Sequence, residues 1–318
     1  MNPVDRVVQG YERSLAWARA RSRAFDHLWR AKDRYGEVNG GRLAAATAYY
    51  GFFATFALAV VAYSVLGYLV AADSELQLSV NAFLNQNLPF LEVATLTRGR
   101  RTVGVIGLVV LVLTGAGWIE TMRTSQRAIW GLEQQPGNVI VRRLVDLGMM
   151  VGLSLLMALS LTVAGVVQNL LWRLAPATVS PSWQDALRMA GPIIGFFVNL
   201  LLAAAALAAL PRLRISARRL VPPVLVLGIG TMLLTTVGRL MIERTANNPA
   251  YTLVAGTIGT LLFLFLFGQL VLFSAAIAAT AGYGRVVDLA AGPPPAPDPA
   301  PAAGPGQAQQ PRPDEPPA

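Results

Sequence analysis

Glu120 and Arg123 stand three residues apart, where the apolar run VGVIGLVVLVLTGA gives way to GWIETMRTSQRAIWGLEQQPG. An acid and a base at that spacing share one side of a helix and can pair weakly. At the edge of a membrane segment they could also gate a passage. Arg239 and Glu243 are four apart at the outer end of another apolar run, with Arg239 inside it. Two amides, Asn199 and Gln269, lie near the middle of two further runs. Ionisable groups within a membrane default to functional suspicion, and an amide there wants a partner. The chemistry on offer is recognition of a polar group at depth. Asn199, Gln269, Arg239 and Glu243 are thus the candidate lining of a pathway, and Glu120 with Arg123 is the candidate cytoplasmic gate. Each has a plainer reading beside it: helix–helix glue for the amides, snorkelling for Arg239, and a charged helix extension for Glu120 and Arg123.

Bond-making chemistry finds little to work with. The chain has no cysteine, and His27 is its only histidine. No apolar run carries an acid pair, an HExxH or a Ser–His arrangement, and no GxxxxGK[ST] pattern occurs. Asp146 stands at the head of its run, at the edge. No catalytic, cofactor or metal site is expected, and the chain does not read as an enzyme.

The elements that hold these residues follow from composition. Of 318 residues 54% are apolar and only 14% charged, against about 25% charged in a soluble domain. The mean hydropathy is +0.50. Crossing about 30 Å of hydrocarbon takes roughly 20 residues of helix. Leu43–Val70, Val103–Met122, Leu144–Leu171, Ala190–Leu210, Leu220–Ile242 and Thr252–Ala281 meet that requirement. In lipid the backbone must bond to itself, so runs of this length are helices. The expected fold is all-α, a polytopic membrane protein with six transmembrane helices in a bundle. Gly148 and Gly152, and again Gly191 and Gly195, have the spacing that lets helices approach closely.

Topology follows from lysine and arginine. The N-terminal segment, residues 123–143, residues 211–219 and the C-terminal tail hold nineteen, against six in the alternate loops. The side with more basic residues is cytoplasmic, which places both termini there. The net charge of +9 is then mostly a topology signal, and nucleic acid is not an expected partner. No cleavable signal is apparent, because residues 1–42 are polar and basic.

Three domains result. Residues 1–42 form a basic amphipathic cytoplasmic segment, residues 43–285 the six-helix domain, and residues 286–318 a Pro/Ala-rich disordered cytoplasmic tail. In the first, Val8, Tyr11, Leu15, Ala18, Ser22, Phe25 and Trp29 recur as one stripe, suited to lying on an anionic inner leaflet. His27 has no partner pattern around it. The loop of residues 71–102 contains LQLSVNAFLNQNLPFLEV, which reads as a short surface helix, a connector or a lid.

Three blocks, in order, resemble the YihY/virulence factor BrkB family of bacterial inner-membrane proteins, in its YhjD-like branch. They are GGRLAAATAYYGFFATFALAVVAYSVLG, then RAIWGLEQQPG followed by RRL, then PAYTLVAGTIGTLLFLFLFGQLVLFSAAIAATA. The likeness covers residues 30 to 285. Two departures stand out: Ala57 occupies the place of a frequent family proline, and Ile277 that of an acidic residue. If that carboxylate couples ions in relatives, this chain lacks it. Members once carried a ribonuclease label, which one histidine and no cysteine make physically implausible here. The resemblance implies location in the bacterial cytoplasmic membrane and transport of lipid or amphipathic cargo.

The expected function is therefore transport or transbilayer movement of a lipid-like or amphipathic molecule. The alternative is a non-transporting scaffold for envelope partners, and a membrane-bound nuclease is the weakest reading. Expected partners are membrane lipids, with a homo-oligomer and envelope proteins as further ones.

Overall fold

The computed structural model describes residues 3–72, 93–174, 181–245 and 249–291. The stretch LQLSVNAFLNQNLPFLEV lies almost wholly outside the described residues, as does the tail from Gly292. Eight helices occur among the described residues: α1 Pro3–Arg21, α2 Arg23–Glu37, α3 Gly40–Ala72, α4 Val93–Trp130, α5 Val139–Leu174, α6 Pro181–Ala208, α7 Ala217–Thr245 and α8 Pro249–Thr280. Two short strands, β1 Leu213–Ile215 and β2 Val286–Asp288, complete the set.

The six apolar runs lie in α3 to α8, none reaching more than two residues past its helix end. Among the described residues five helices are long and apolar enough to cross a membrane, in α3, α4, α5, α7 and α8. The fourth run supplies a shorter apolar helix, Ile193–Ala208 in α6. The fold is an all-α membrane protein.

The N-terminal stripe does not run through one helix. Ser22 sits in extended backbone, and its hydroxyl accepts from the Phe25 N–H at 3.3 Å. A serine in that role caps a helix N-terminus, so α1 ends and α2 begins there. The buried side of α2 packs on the end of α8: Ala31 is fully buried, and the Tyr35 and Phe273 rings meet edge to face. His27 is not isolated, because Nε2 lies 2.9 Å from the Ile277 carbonyl.

Close helix contacts use other glycines than spacing suggests. A methyl on Gly117 would meet the Tyr50 ring at 3.0 Å, and one on Gly107 would press on Val60 at 2.7 Å. These positions let α4 lie against α3. Gly148, Gly152 and Gly195 instead face open space, because their sides of α5 and α6 point away from the bundle. Gly191 lies outside the residues whose side chains are described.

The densest core gathers at one end, where Ile119, Met122, Leu207, Leu227, Leu272 and Ala276 are buried together. Farther along the shafts Val105, Leu155, Leu159, Leu233 and Leu262 are exposed, as faces turned to lipid are. The span in α5 is only 6% buried, against 44% for that in α8.

That same end carries the strands. β1 pairs antiparallel with β2 in the register Leu213↔Asp288, Arg214↔Val287 and Ile215↔Val286. The ordered chain therefore continues past residue 285, and β2 clasps the α6–α7 connection.

Candidate functional site

The ends of α4, α6 and α8 and the starts of α5 and α7 converge where the arginines are. A helix C-terminus leaves carbonyls without an intrahelical partner, and cationic side chains satisfy them well. Arg34 of α2 donates to the Ala128 and Ile129 carbonyls at the end of α4, at 3.2 and 2.7 Å. Arg219 of α7 donates to Ala278 and Ala279 at the end of α8, at 2.7 and 2.8 Å. Gln126 reaches the Ala206 carbonyl near the end of α6 at 3.0 Å. The basic residues that mark topology also tie the helix ends together.

Within this layer lies a buried charge cluster. Arg123 Nε and Nη2 donate to the two carboxylate oxygens of Asp146 at 2.9 and 3.1 Å, and Nη1 donates to the Gln134 carbonyl at 3.0 Å. Arg123 and Asp146 are both fully buried. Arg212 approaches the same carboxylate, Nη2 to Oδ1, at 3.2 Å. Burial pushes the Arg212 guanidinium below its usual pKa, and Asp146 holds it up. Arg127, also fully buried, donates to both oxygens of Asp288 at 2.9 and 2.7 Å and to the Pro211 carbonyl at 2.9 Å. Those hydrogen bonds from Arg127 hold the Asp288 carboxyl below the usual carboxylate range. Bidentate arginine–carboxylate pairs are strong and directional, and here the buried Asp146 and the partly buried Asp288 each have one.

The expected pairing of Glu120 with Arg123 is replaced. The α4–α5 hairpin turns through Gly131 and Gly137, both in left-handed backbone at φ 68° and 75°, a conformation glycine adopts at little cost. That turn brings Arg143 and Asp146 of α5 alongside α4. Arg123 takes the buried carboxylate, and Glu120 pairs with Arg143. A bidentate bond out of water outweighs a weak pair on one helix surface.

Glu120 and Arg143 border a cleft of about 400 Å³ lined also by Tyr50, Leu113, Gly117, Thr121, Thr124 and Gln135. The Arg143 side chain is 51% exposed and that of Glu120 22%. Neither has a second polar partner among the described residues. Leu113, at one edge, is 69% exposed among the faces turned to lipid. The cleft is lined mostly by polar and charged side chains, with the exposed Leu113 at its edge.

The proposed pathway residues are spread around α7. Asn199 Nδ2 donates to the Gly228 carbonyl at 2.8 Å, a bond that ties α6 to α7. Gln269 is half-buried on α8, and its neighbour Leu270 packs on Gly230 of α7. Asn199 is thus bonded to α7, and Gln269 is carried by a helix that packs against α7. Arg239 is exposed farther along that helix. Glu243 belongs to α7, but its side chain lies outside the described ones. Asn199, Gln269 and Arg239 sit on α6, α8 and α7, and none of the three lines the cleft beside Glu120 and Arg143.

Sequence reading missed Arg143, Arg127 and Asp288 and left Asp146 at the edge of its run. One signal was present: α4 reads Glu120-x-x-Arg123 and α5 reads Arg143-x-x-Asp146. Each helix offers the other both signs of charge, although that order alone would set like charges opposite in an antiparallel hairpin, and the observed pairs run against it.

The sequence model of the family described as Virulence factor BrkB matches residues 31–299. The chain belongs to that family. Inner membrane protein YhjD of Escherichia coli (strain K12) is 27% identical over 277 residues, covering 81% of each chain. An uncharacterized protein of Dickeya dadantii (strain 3937) is 28% identical over 276 residues, 81% of this chain and 84% of its own. No solved structure matches. This BrkB-family chain is an integral protein of the inner membrane, with several apolar helices able to span it. Its Ile277, where the resemblance leads one to expect an acid, is buried, and its carbonyl meets His27.

Proposed function

We propose that this protein moves a lipid-like or amphipathic molecule into or across the membrane, and that it does so without acting as an enzyme. The observation that carries this reading is the cleft beside Tyr50 and Leu113. It places an ion pair within reach of a surface turned to hydrocarbon, the combination an amphipathic cargo needs. Six spans are proposed, with the part of α6 before Ile193 completing the fourth. Both termini lie on the cytoplasmic side by the excess of basic residues at the clasped end, so the cleft opens toward the inner leaflet. Asn199 on α6, Gln269 on α8, and Arg239 and Glu243 on α7 would line the deeper part of the route.

The test is leaflet exchange of fluorescent lipid in liposomes carrying purified protein, read with an impermeant quencher. Exchange above empty liposomes, lost in a Glu120→Leu/Arg143→Leu variant that stays folded, is the expected outcome. Folded wild-type protein without exchange would contradict unassisted movement and favour the scaffold reading. One observation supports that alternative. Trp17, Phe25 and Leu28 remain exposed on α1 and α2, and they offer an envelope partner an apolar surface.

A further inference from the structure

The charge pattern of the cleft narrows what it accepts. Its lining holds one carboxylate, Glu120, and one guanidinium, Arg143, with Tyr50, Thr121, Thr124 and Gln135 as neutral polar neighbours. The net charge of the lining is therefore zero. A purely anionic headgroup bound to Arg143 would come up beside the Glu120 carboxylate, a like charge. A cationic headgroup meets the mirror-image conflict at Arg143. A headgroup bearing both signs exchanges the single pair for two and strands neither charge.

The pair is also built to open. Arg143 has no bond but that to Glu120 among the described residues. Arg123, one turn farther along α4 from Glu120, makes three hydrogen bonds and is closed to water. Exposed ion pairs hold together weakly, by about 0–1 kcal/mol, so a ligand can displace this one at little cost. A volume of about 400 Å³ falls within the range of small-molecule sites. The exposed Leu113 at the rim gives an acyl chain an apolar surface to follow.

We infer that the cleft binds a zwitterionic phospholipid headgroup, with its phosphate on Arg143 and its ammonium on Glu120. This rests on reading the cleft as the place where cargo enters.

Binding is measured on the full chain in detergent by calorimetric titration. The probes are dihexanoyl phosphatidylethanolamine, dihexanoyl phosphatidylglycerol and soluble phosphoethanolamine. The ethanolamine lipid should bind roughly tenfold more tightly than the glycerol lipid, the scale of one charge-assisted contact. Glu120→Gln should erase that preference, and Arg143→Gln should weaken both lipids. Soluble phosphoethanolamine should bind more weakly than its lipid. Equal affinity for the two lipids, no binding of either, or a preference that survives Glu120→Gln would overturn the inference. Soluble phosphoethanolamine binding as tightly as its lipid would overturn the lipid part. Both variants leave the buried cluster untouched, and their thermal transitions check folding. Leaflet exchange is scored separately. Headgroup preference without exchange removes the transport reading alone, and exchange without preference removes the zwitterion alone.

Discussion

Two ion pairs join α4 to α5 about one turn apart, and they differ in almost every physical respect. Arg123 and Asp146 are buried, bonded at both carboxylate oxygens, and backed by Arg212 and the Gln134 carbonyl. Glu120 and Arg143 hold one exposed contact at the mouth of a cleft. The same two helices supply both. A buried charge must have every partner in place, because losing one leaves an uncompensated ion in a poor solvent. A pair at the surface carries no such obligation and is free to exchange partners. The inner pair fixes the hairpin, and the outer pair is left available for a ligand.

Breaking the inner pair should have the largest effect. Asp146→Asn leaves Arg123 and Arg212 facing a neutral amide, and a loss of about 3–5 kcal/mol is expected. In a thermal scan in detergent this variant should melt well below wild type or fail to purify. Asp288→Asn comes next, at about 1–3 kcal/mol, because Arg127 keeps its carbonyl partners. Acid sharpens that prediction. The Asp288 carboxyl is held below its usual pKa by Arg127, so the unfolded chain binds its proton first as pH falls. The stabilisation is full above the ordinary carboxylate value near ~4 and fades as pH drops through the folded value. Wild type should lose its advantage over Asp288→Asn in that acid window.

Asn199→Leu should cost about 0.6–2 kcal/mol, the range for a hydrogen bond between membrane helices. If Asn199 serves only as glue, leaflet exchange per folded molecule will not change; if it lines the route, exchange will fall. Glu120→Gln should have the smallest effect on stability, within ~0.5 kcal/mol of wild type, as expected of an exposed pair. A loss comparable to that of Asp146→Asn would erase the distinction between the two pairs.

The helices were legible in the sequence because apolar length alone decides them. The six runs reappear within α3 to α8, although α4 and α6 begin well before the runs they carry. What faces what was less legible. Glu120 and Arg123 are neighbours in sequence, yet each bonds across the hairpin, and that register depends on the turn from Gly131 to Gly137. The glycines show the same limit. Spacing singles out Gly148 and Gly152, whereas contact falls on Gly107 and Gly117, because rotation about the helix axis decides which side meets a neighbour. Asp288 was hidden for another reason: its partner Arg127 lies 161 residues away, and the segment around it has no apolar pattern. The acid that matters most, Asp146, read as an edge residue because its partners, Arg123 and Arg212, come from two other segments.

The central claim is that the outer pair serves function and the inner pair serves the fold. Leaflet exchange and thermal unfolding, measured on the same preparations of wild type and Glu120→Gln, test it most directly. The account predicts a melting temperature close to wild type and exchange of ethanolamine lipid reduced roughly tenfold. Unchanged exchange in Glu120→Gln, with wild type active, would contradict it.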